Sequence, residues 1–219
     1  MKNKTNSLFS KDRWSLWKRN VIDRYKSMTD EQIRQDLLKT KNPISVCMEH
    51  WQGDFNISTL IRNANAFNVE KVFYLGKKRI DIRGAVGSHH YIDILHMPDG
   101  VRELVNLKDT YTFIAIDNNI PETQTLDEFS WSLLEKPPLV FFGEEGVGLT
   151  QETLNLCDYR VEIQQYGSVR SLNVGTSSGL VLYELSRHLK NSKVFDRWRQ
   201  ALCDGSDSVQ SAPSQLTLL

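Results

Sequence analysis

The sequence predicts an α/β protein whose mostly parallel sheet is covered by helices on both faces. From Pro43 onward, short segments rich in β-branched and aromatic residues alternate with segments whose apolar residues have helical spacing. Strands that alternate with helices in this way favour a parallel sheet that is buried on both sides. The 219 residues suffice for one such domain with an extension at each end.

The individual elements follow from the apolar patterns in chain order. The segment 44–48 reads as a buried strand, and the helix after it carries an apolar stripe from Ile57 to Phe67, with Asp54 as its N-cap. Further strands are expected at 71–75, 89–96, 111–116, 139–143 and 159–163. Further helices are expected near 101–106, 126–134, 151–157 and from 171 onward.

Charge is segregated along the chain. The net charge is zero, but the first 41 residues contain eleven basic and five acidic side chains. The aromatic residues Trp14, Trp17 and Tyr25 lie among these basic ones and either dock the segment onto the domain or grip RNA. We divide the chain into a basic N-terminal extension (1–41), a domain (42–190), a C-terminal helix (191–202) and a serine-rich tail expected to be disordered (203–219).

Several classes of protein are disfavoured by composition. No apolar run approaches the roughly 20 residues of a membrane span, and the first residues lack the apolar core of a secretory signal. Cys47, Cys157 and Cys203 match neither a disulfide framework nor a zinc pattern. His89 and His90 have no acidic or cysteine partner at ligand spacing, so no metal site is expected. We therefore expect a reduced, cytoplasmic protein without a metal or a membrane partner.

The run 166–185 combines a polar start with a long uncharged segment. No residue between 171 and 183 is charged, which is typical of a buried helix. Gly175 and Gly179 each cost a helix about 1 kcal/mol relative to alanine, so we expect another part of the structure to approach this backbone closely. Ser171 could be the N-cap of this helix. The polar side chains that open it, and that predict a binding site, are Arg170, Ser171 and Asn173.

A glycine-rich segment follows the predicted strand 139–143, at the edge where parallel sheets bind ligands. Its three glycines between 143 and 148 permit a tight turn with N–H groups directed at a ligand. Their order is not that of a dinucleotide-binding fingerprint, and Glu144 and Glu145 would repel a pyrophosphate. A cationic or hydroxyl-bearing ligand suits this loop better than NAD.

Two further groups of polar residues are candidate contacts for a substrate. Asn56 and Arg62 lie on the first helix of the domain, and Arg62 falls on its polar face, where a solvated arginine is the alternative. A basic loop between Gly76 and Gly84 predicts phosphate contacts, although a solvated turn fits equally well. The basic residues of that loop are Lys77, Lys78, Arg79 and Arg83.

Three segments resemble, in order, the motifs of the SpoU/TrmH group of SPOUT RNA methyltransferases. Residues 56–69, NISTLIRNANAFNV, are similar to the first motif, and residues 141–150, FFGEEGVGLT, are similar to the second. Residues 163–184, IQQYGSVRSLNVGTSSGLVLYE, are similar to the third, with Ser-Leu-Asn-Val at its centre. The resemblance covers roughly residues 43–189. It implies a trefoil knot in the C-terminal part of the domain and a homodimer.

The resemblance also implies an activity, namely methyl transfer from S-adenosylmethionine to a ribose 2′-hydroxyl of tRNA or rRNA. Two rivals share the fold: an enzyme that methylates a base nitrogen, and a non-catalytic RNA-binding subunit. The Ser-Leu-Asn-Val sequence favours the ribose. Asn68, Gln164 and the pair Gly175-Thr176 depart from the usual motif residues, which leaves the substrate class open.

The implied site residues fall into three groups. The implied catalytic residues are Arg62, Glu145, Ser171 and Asn173. The implied contacts of the cofactor are Ile116, Gly143, Ile163 and Leu172. The candidate contacts of the RNA substrate are Asn56, Lys77, Lys78, Arg79, Arg83 and Arg170.

Overall fold

The computed structural model describes residues 19–49, 54–76, 83–118, 120–190 and 192–203. Three expectations fall outside these residues. They are the first 18 residues of the extension with Trp14 and Trp17, the loop residues Lys77, Lys78 and Arg79, and the tail from 204 onward.

Seven parallel strands form one sheet in the order β3-β2-β1-β6-β4-β7-β5. The strands are β1 (Asn42–Glu49), β2 (Val69–Leu75), β3 (Asp93–Met97), β4 (Thr112–Ile116), β5 (Gln124–Thr125), β6 (Pro138–Phe142) and β7 (Tyr159–Glu162). The α-helices are α1 (Asp30–Leu38), α2 (Asp54–Ala66), α3 (Gln151–Leu156), α4 (Val174–Leu189) and α5 (Lys193–Cys203). The predicted α/β class with a parallel sheet is confirmed.

Apolar clusters cover both faces of the sheet, as the sequence predicts. Alternate residues of β1 point to opposite sides, so that Val46 and Met48 belong to one cluster and Cys47 to the other. The first cluster includes the predicted stripe of α2 together with the buried face of α4. The second cluster lies on the opposite face, beneath α3 and the 3₁₀ segment Gly100–Asp109. Because both faces are covered, β1 is buried along its whole length.

Two predicted elements are wrong in detail. The strand expected at 89–96 begins only at Asp93, because Gly87 has a left-handed φ of 84° and turns the chain into the 3₁₀ segment Ser88–Tyr91. The helix expected near 126–134 is reduced to the 3₁₀ turn Trp131–Leu133. Packing of the Phe129 and Trp131 rings, with centroids 4.4 Å apart, replaces the helical periodicity there.

The described part of the N-terminal extension packs on the domain. Ile33 of α1 is 1% exposed and clusters with Tyr25 and Tyr91. The Arg34 guanidinium donates to the His90 carbonyl oxygen at 2.6 Å and to the Asp93 carboxylate at 2.9 Å. Residues 19–41 therefore dock on the domain, and Tyr25 is the one of the three aromatic residues that the structure describes.

No helix within the described ranges combines the length and the apolar character needed to traverse a bilayer.

Candidate active site

A cavity of about 230 Å³ lies at the carboxyl ends of the central strands. It is bounded by the end of β4, by the glycine-rich loop 143–149 after β6, and by the segment 170–172 before α4. Of the four residues expected to contact a cofactor, Ile116, Gly143 and Leu172 line this cavity. Ile163 does not line it, but its backbone is tied to the cavity wall through Asn118.

The glycine-rich loop closes on itself at the cavity. The Glu144 N–H donates to the Gly148 carbonyl oxygen at 3.2 Å, and the Gly148 N–H donates to the Glu144 carbonyl oxygen at 2.8 Å. A Cβ at Gly143 would lie 2.5 Å from the Gly148 carbonyl oxygen and closer still to neighbouring backbone atoms. Gly148 itself has a φ of 75°. The tight turn expected from the glycines is therefore present, and two of them are sterically required.

Two residues of the cavity wall, Asp117 and Asn118, are missed by the sequence analysis. Asp117 Oδ2 accepts a hydrogen bond from the Leu149 N–H at 3.2 Å and so fixes the end of the glycine-rich loop. Asn118 pairs with the backbone of Ile163, donating to its carbonyl oxygen at 2.7 Å and accepting from its N–H at 3.2 Å. Their position directly after β4, at the ligand-binding edge, is the signal that could have identified them.

Three predicted site residues form a closed ring of side-chain hydrogen bonds beside the cavity. The Asn56 amide donates to Glu145 Oε2 at 2.9 Å. The Asn173 amide donates to Asn56 Oδ1 at 2.8 Å and to Glu145 Oε1 at 3.3 Å. Glu145 accepts from both amides, which is the role of an ionised carboxylate. The ring remains partly exposed, so that a substrate can reach it.

Asn173, and not Ser171, is the N-cap of α4. Its Oδ1 accepts the Thr176 N–H at 3.2 Å, while its amide group donates into the ring. A serine at 171 lies two residues too early for this geometry, since α4 begins only at Val174. Ser171 is instead exposed and lines the cavity together with Arg170. The amide of Asn173 therefore links the fold of α4 to the site.

Two further predicted basic residues that the structure describes, Arg62 and Arg83, lie apart from the cavity lining. Arg62 is exposed on α2 and has no hydrogen bond or ion pair with the described residues. Arg83 is exposed in the 3₁₀ segment Arg83–Ala85. Within one chain, the structure thus brings Asn56, Glu145 and Asn173 together but leaves Arg62 outside the cavity.

Close packing of α2 against α4 explains the small residues of α4. A Cβ at Gly175 would lie 3.0 Å from the Thr59 side chain, and one at Gly179 would lie 3.2 Å from the Asn63 amide. The Asn63 amide donates to the Gly175 carbonyl oxygen at 2.9 Å and to Ser178 Oγ at 3.0 Å. The expected close approach to this backbone is therefore confirmed, and α2 of the same chain makes it. This contact positions Asn56 and Asn173 next to each other.

A buried carboxylate supports the opposite wall of the loop. Glu49, at the end of β1, is 2% exposed. Its oxygens accept from the Thr150 N–H at 2.9 Å, from Thr150 Oγ1 at 2.6 Å and from Thr153 Oγ1 at 2.6 Å. These bonds attach the N-terminus of α3, and with it the end of the glycine-rich loop, to the sheet.

Replacing Glu49 with alanine is expected to lower the free energy of unfolding by about 3 kcal/mol. The substitution removes the acceptor of the part-buried Thr150 N–H and Thr150 hydroxyl and of the buried Thr153 hydroxyl. Urea denaturation measures the effect, and Glu135→Ala, an exposed carboxylate in the described region, is the matched control. Equal stability of the two variants would contradict the structural role of Glu49.

Cysteine and metal chemistry find no support in the described residues. Burial raises the pKa of the Cys157 thiol to about 12 and also raises the pKa of the Cys47 thiol, so neither is a thiolate nucleophile at neutral pH. In the same residues, no three His, Cys, Asp or Glu side chains are arranged to hold a metal ion.

The fold is that of an α/β protein with a cavity at the carboxyl edge of its parallel sheet, between a glycine-rich loop and the start of a helix, which is where such sheets bind ligands. The chain belongs to the SpoU rRNA Methylase family, which matches residues 43–183. The resemblance seen in the three sequence motifs is therefore confirmed.

Several relatives align over most of the chain. The tRNA (guanosine(18)-2′-O)-methyltransferase of Escherichia coli K12 is 29% identical over 76% of this chain and 72% of its own. The protein of the same name from Aquifex aeolicus is 26% identical over 76% of this chain and 80% of its own. A 23S rRNA (guanosine-2′-O-)-methyltransferase of Haemophilus influenzae is 23% identical over 74% of this chain and 67% of its own.

Solved structures share the fold. The A. aeolicus TrmH/SpoU tRNA modifying enzyme superimposes with a TM-score of 0.66 at 22% identity, covering 76% of this chain and 85% of the other. The SpoU methyltransferase AviRb from Streptomyces viridochromogenes, in complex with AdoMet, superimposes with a TM-score of 0.59 at 24% identity, covering 68% and 59%.

Proposed function

We propose that this protein transfers a methyl group from S-adenosylmethionine to a ribose 2′-hydroxyl of tRNA or rRNA. One observation carries the proposal: the ring of Asn56, Glu145 and Asn173 stands beside the cavity of a SpoU-family domain. Each of the three motifs of the family contributes one member of the ring. The relatives from E. coli and A. aeolicus, which are named tRNA 2′-O-methyltransferases, support the same reaction.

The chemistry of the cavity fits this cofactor. Asp117, Glu144 and Glu145 line it, and within the part of the chain that the structure describes Arg170 is the one basic side chain in the lining. Carboxylates suit a ligand with a sulfonium, an ammonium group and ribose hydroxyls better than they suit a phosphate. The closed loop 143–149 supplies a close backbone wall, and Leu172 and Ile116 supply apolar surface for an adenine ring. When bound, the cofactor supplies an electrophilic methyl group.

The protein's side chains then have to orient and activate the hydroxyl. A ribose hydroxyl has a pKa far above 7, so positive charge or a proton acceptor must assist it as its oxygen attacks. Arg62 stays protonated and therefore stabilises developing negative charge and orients the hydroxyl rather than acting as a base. The amides of Asn56 and Asn173, held by Glu145, fix the attacking ribose in line with the methyl group. Ser171 contacts the same substrate from the cavity wall.

The position of Arg62 supports a homodimeric enzyme. We name the exposed side chains of α2 and of α4 as far as Tyr183 the α2–α4 face. It contains one charged side chain among those the structure describes, and consists of Phe55, Thr59, Arg62, Ala66, Thr176, Leu180 and Tyr183. The exposed Arg187 and His188 lie beyond it, in the last turn of α4. Phe55 is 88% exposed, Tyr183 57% and Leu180 44%. Such a surface favours association. Pairing of two copies through this face places Arg62 at a site that both chains share.

The substitution Leu180→Asp is expected to produce a monomer, because it places a charge in the middle of the α2–α4 face. Analytical ultracentrifugation measures the mass in solution. The control is Leu133→Asp, since Leu133 is 76% exposed outside this face. If both variants are folded and Leu180→Asp still sediments with twice the mass of a single chain, this interface is wrong.

The knot and the RNA contacts are part of the same proposal. The strands β6 and β7 lie on either side of β4 in the sheet. The knot would involve the loops that follow these two strands, which border the cavity. Arg83 and Arg170, together with Lys77, Lys78 and Arg79 of the basic loop, contact RNA phosphates.

The unpaired thiols Cys47 and Cys157 agree with a cytoplasmic location.

Transfer of a labelled methyl group from S-adenosylmethionine to total tRNA and rRNA tests the proposal. We expect the wild-type chain to label the RNA. We expect Arg62→Ala to lose this labelling while its affinity for the cofactor stays unchanged. If the RNA acquires no label even at high enzyme concentration, the alternative of a non-catalytic RNA-binding subunit is favoured instead. Full turnover by Arg62→Ala would remove Arg62 from the mechanism.

A further inference from the structure

The walls of the cofactor cavity carry an excess of negative charge. Among its described lining residues are three carboxylates, from Asp117, Glu144 and Glu145, and one guanidinium, from Arg170. The three carboxylates are not equivalent. Glu145 is held by the amides of the hydrogen-bonded ring, and Glu144 lies on the glycine-rich loop. Asp117 alone comes directly from the sheet, at the residue that follows β4.

The Asp117 carboxylate is fixed rigidly in the cavity wall. Its Oδ2 accepts the Leu149 N–H at 3.2 Å, which joins it to the closing end of the loop. A Cβ at Gly148 would collide with this carboxylate, so the loop backbone packs directly against it. The Asp117 N–H donates to the Val161 carbonyl oxygen at 3.2 Å, which ties the residue to β7 as well. A carboxylate held in this way keeps its charge at one place whether or not a ligand is bound.

The reaction changes the charge of the molecule bound next to this wall. On methyl transfer, the bond between sulfur and the methyl carbon breaks, a bond between the ribose oxygen and that carbon forms, and the hydroxyl proton leaves to solvent. The sulfonium thereby becomes a neutral sulfide, so the product S-adenosylhomocysteine has one positive charge fewer than the substrate. A fixed negative charge in a partly enclosed cavity distinguishes two such ligands.

We propose that Asp117 makes the cavity selective for the sulfonium-bearing cofactor over its sulfide product and so favours product release. The inference rests on the proposed function, because it assumes that S-adenosylmethionine binds in this cavity. Asp117 is a specificity residue and not a catalytic acid or base. Because the sulfur is positively charged before transfer and neutral after it, the carboxylate strengthens binding of the cofactor and not of the product.

Binding of three ligands to the wild-type chain and to Asp117→Asn tests this role. The ligands are S-adenosylmethionine, S-adenosylhomocysteine and sinefungin, a stable analogue with a protonatable amine in place of the sulfonium. Isothermal titration calorimetry should show that Asp117→Asn weakens the two cationic ligands by about three- to tenfold more than S-adenosylhomocysteine. Asparagine retains an oxygen that can accept the Leu149 N–H, so the loop stays closed. Asp109→Asn, an exposed carboxylate outside the cavity lining, should change none of the three affinities.

The ratio of two affinities separates selectivity from a merely structural role. In Asp117→Asn the affinity for S-adenosylmethionine should fall relative to the affinity for S-adenosylhomocysteine, whereas a collapsed loop would lower both affinities alike. Should Asp117→Asn fail to fold, Asp117→Ser provides a hydroxyl acceptor without the charge. If Asp117→Asn loses affinity equally for all three ligands, the proposed role of Asp117 is wrong, whereas the cofactor assignment is unaffected. A wild-type chain that binds none of them would overturn the cofactor assignment, and the role of Asp117 with it.

Discussion

Replacing Glu145 with glutamine is expected to lower the rate of methyl transfer about 100-fold at saturating cofactor. Both carboxylate oxygens accept amide N–H groups, from Asn56 at 2.9 Å and from Asn173 at 3.3 Å. Glutamine keeps one acceptor and turns the other into a donor that faces an amide donor, so the ring opens. The two asparagines then lose the orientation that places the ribose, and a displacement of about 1 Å at a reacting centre costs about this factor.

The fold should survive this change, which makes the rate interpretable. Asn173 keeps its Oδ1 bond to the Thr176 N–H, so α4 retains its N-cap. We expect the free energy of unfolding to change by less than about 1 kcal/mol, as measured by urea denaturation. Glu135→Gln, exposed and outside the cavity, serves as the control for the chemical change. A Glu145→Gln enzyme within threefold of the wild-type rate would exclude the ring from catalysis.

Replacing Gly143 with alanine is expected to abolish measurable cofactor binding and to cost about 3 kcal/mol of stability. The new Cβ would lie 2.5 Å from the Gly148 carbonyl oxygen and closer to other backbone atoms of the loop, and backbone cannot move aside as a flexible side chain can. The loop must open, and the backbone pairing of Glu144 with Gly148 is lost. For a chain of this size, the melting temperature should fall by about 6 to 12 °C.

Gly146 of the same loop supplies a matched control for stability. A Cβ at this position would meet no atom within 4 Å, so Gly146→Ala should melt at the wild-type temperature. Equilibrium dialysis with labelled S-adenosylmethionine gives the cofactor affinity of Gly143→Ala. Unchanged melting and affinity in Gly143→Ala would show that the loop does not close as described.

The sequence predicts the sheet because its strands are buried on both sides. The segment 44–48 is apolar except for Ser45, and the structure places it in an interior strand of the seven-stranded parallel sheet. Local sequence patterns fail to predict the secondary structure where a single backbone angle or a tertiary contact determines it. The left-handed Gly87 shortens the strand that ends at Met97, and the packing of Phe129 on Trp131 replaces a helix.

The sequence predicts which residues belong to the site, but it does not predict how these residues contact each other. Asn56 lies 89 residues from Glu145 and 117 residues from Asn173, so no local pattern shows that they share hydrogen bonds. The motifs supply their identity, and the close packing of α2 on the glycines of α4 supplies their contact. Asp117 and Asn118 escape prediction because an Asp-Asn pair after a strand is equally typical of an ordinary turn.

The most direct test of the central claim is the position of the methyl group in RNA labelled by this protein. A 2′-O-methyl group prevents attack of that oxygen on the adjacent phosphate, so alkaline hydrolysis leaves the label in dinucleotides. We predict that label from S-adenosylmethionine appears in alkali-stable dinucleotides and that Glu145→Gln loses most of it. Label recovered only in mononucleotides carrying a methylated base would contradict ribose methylation.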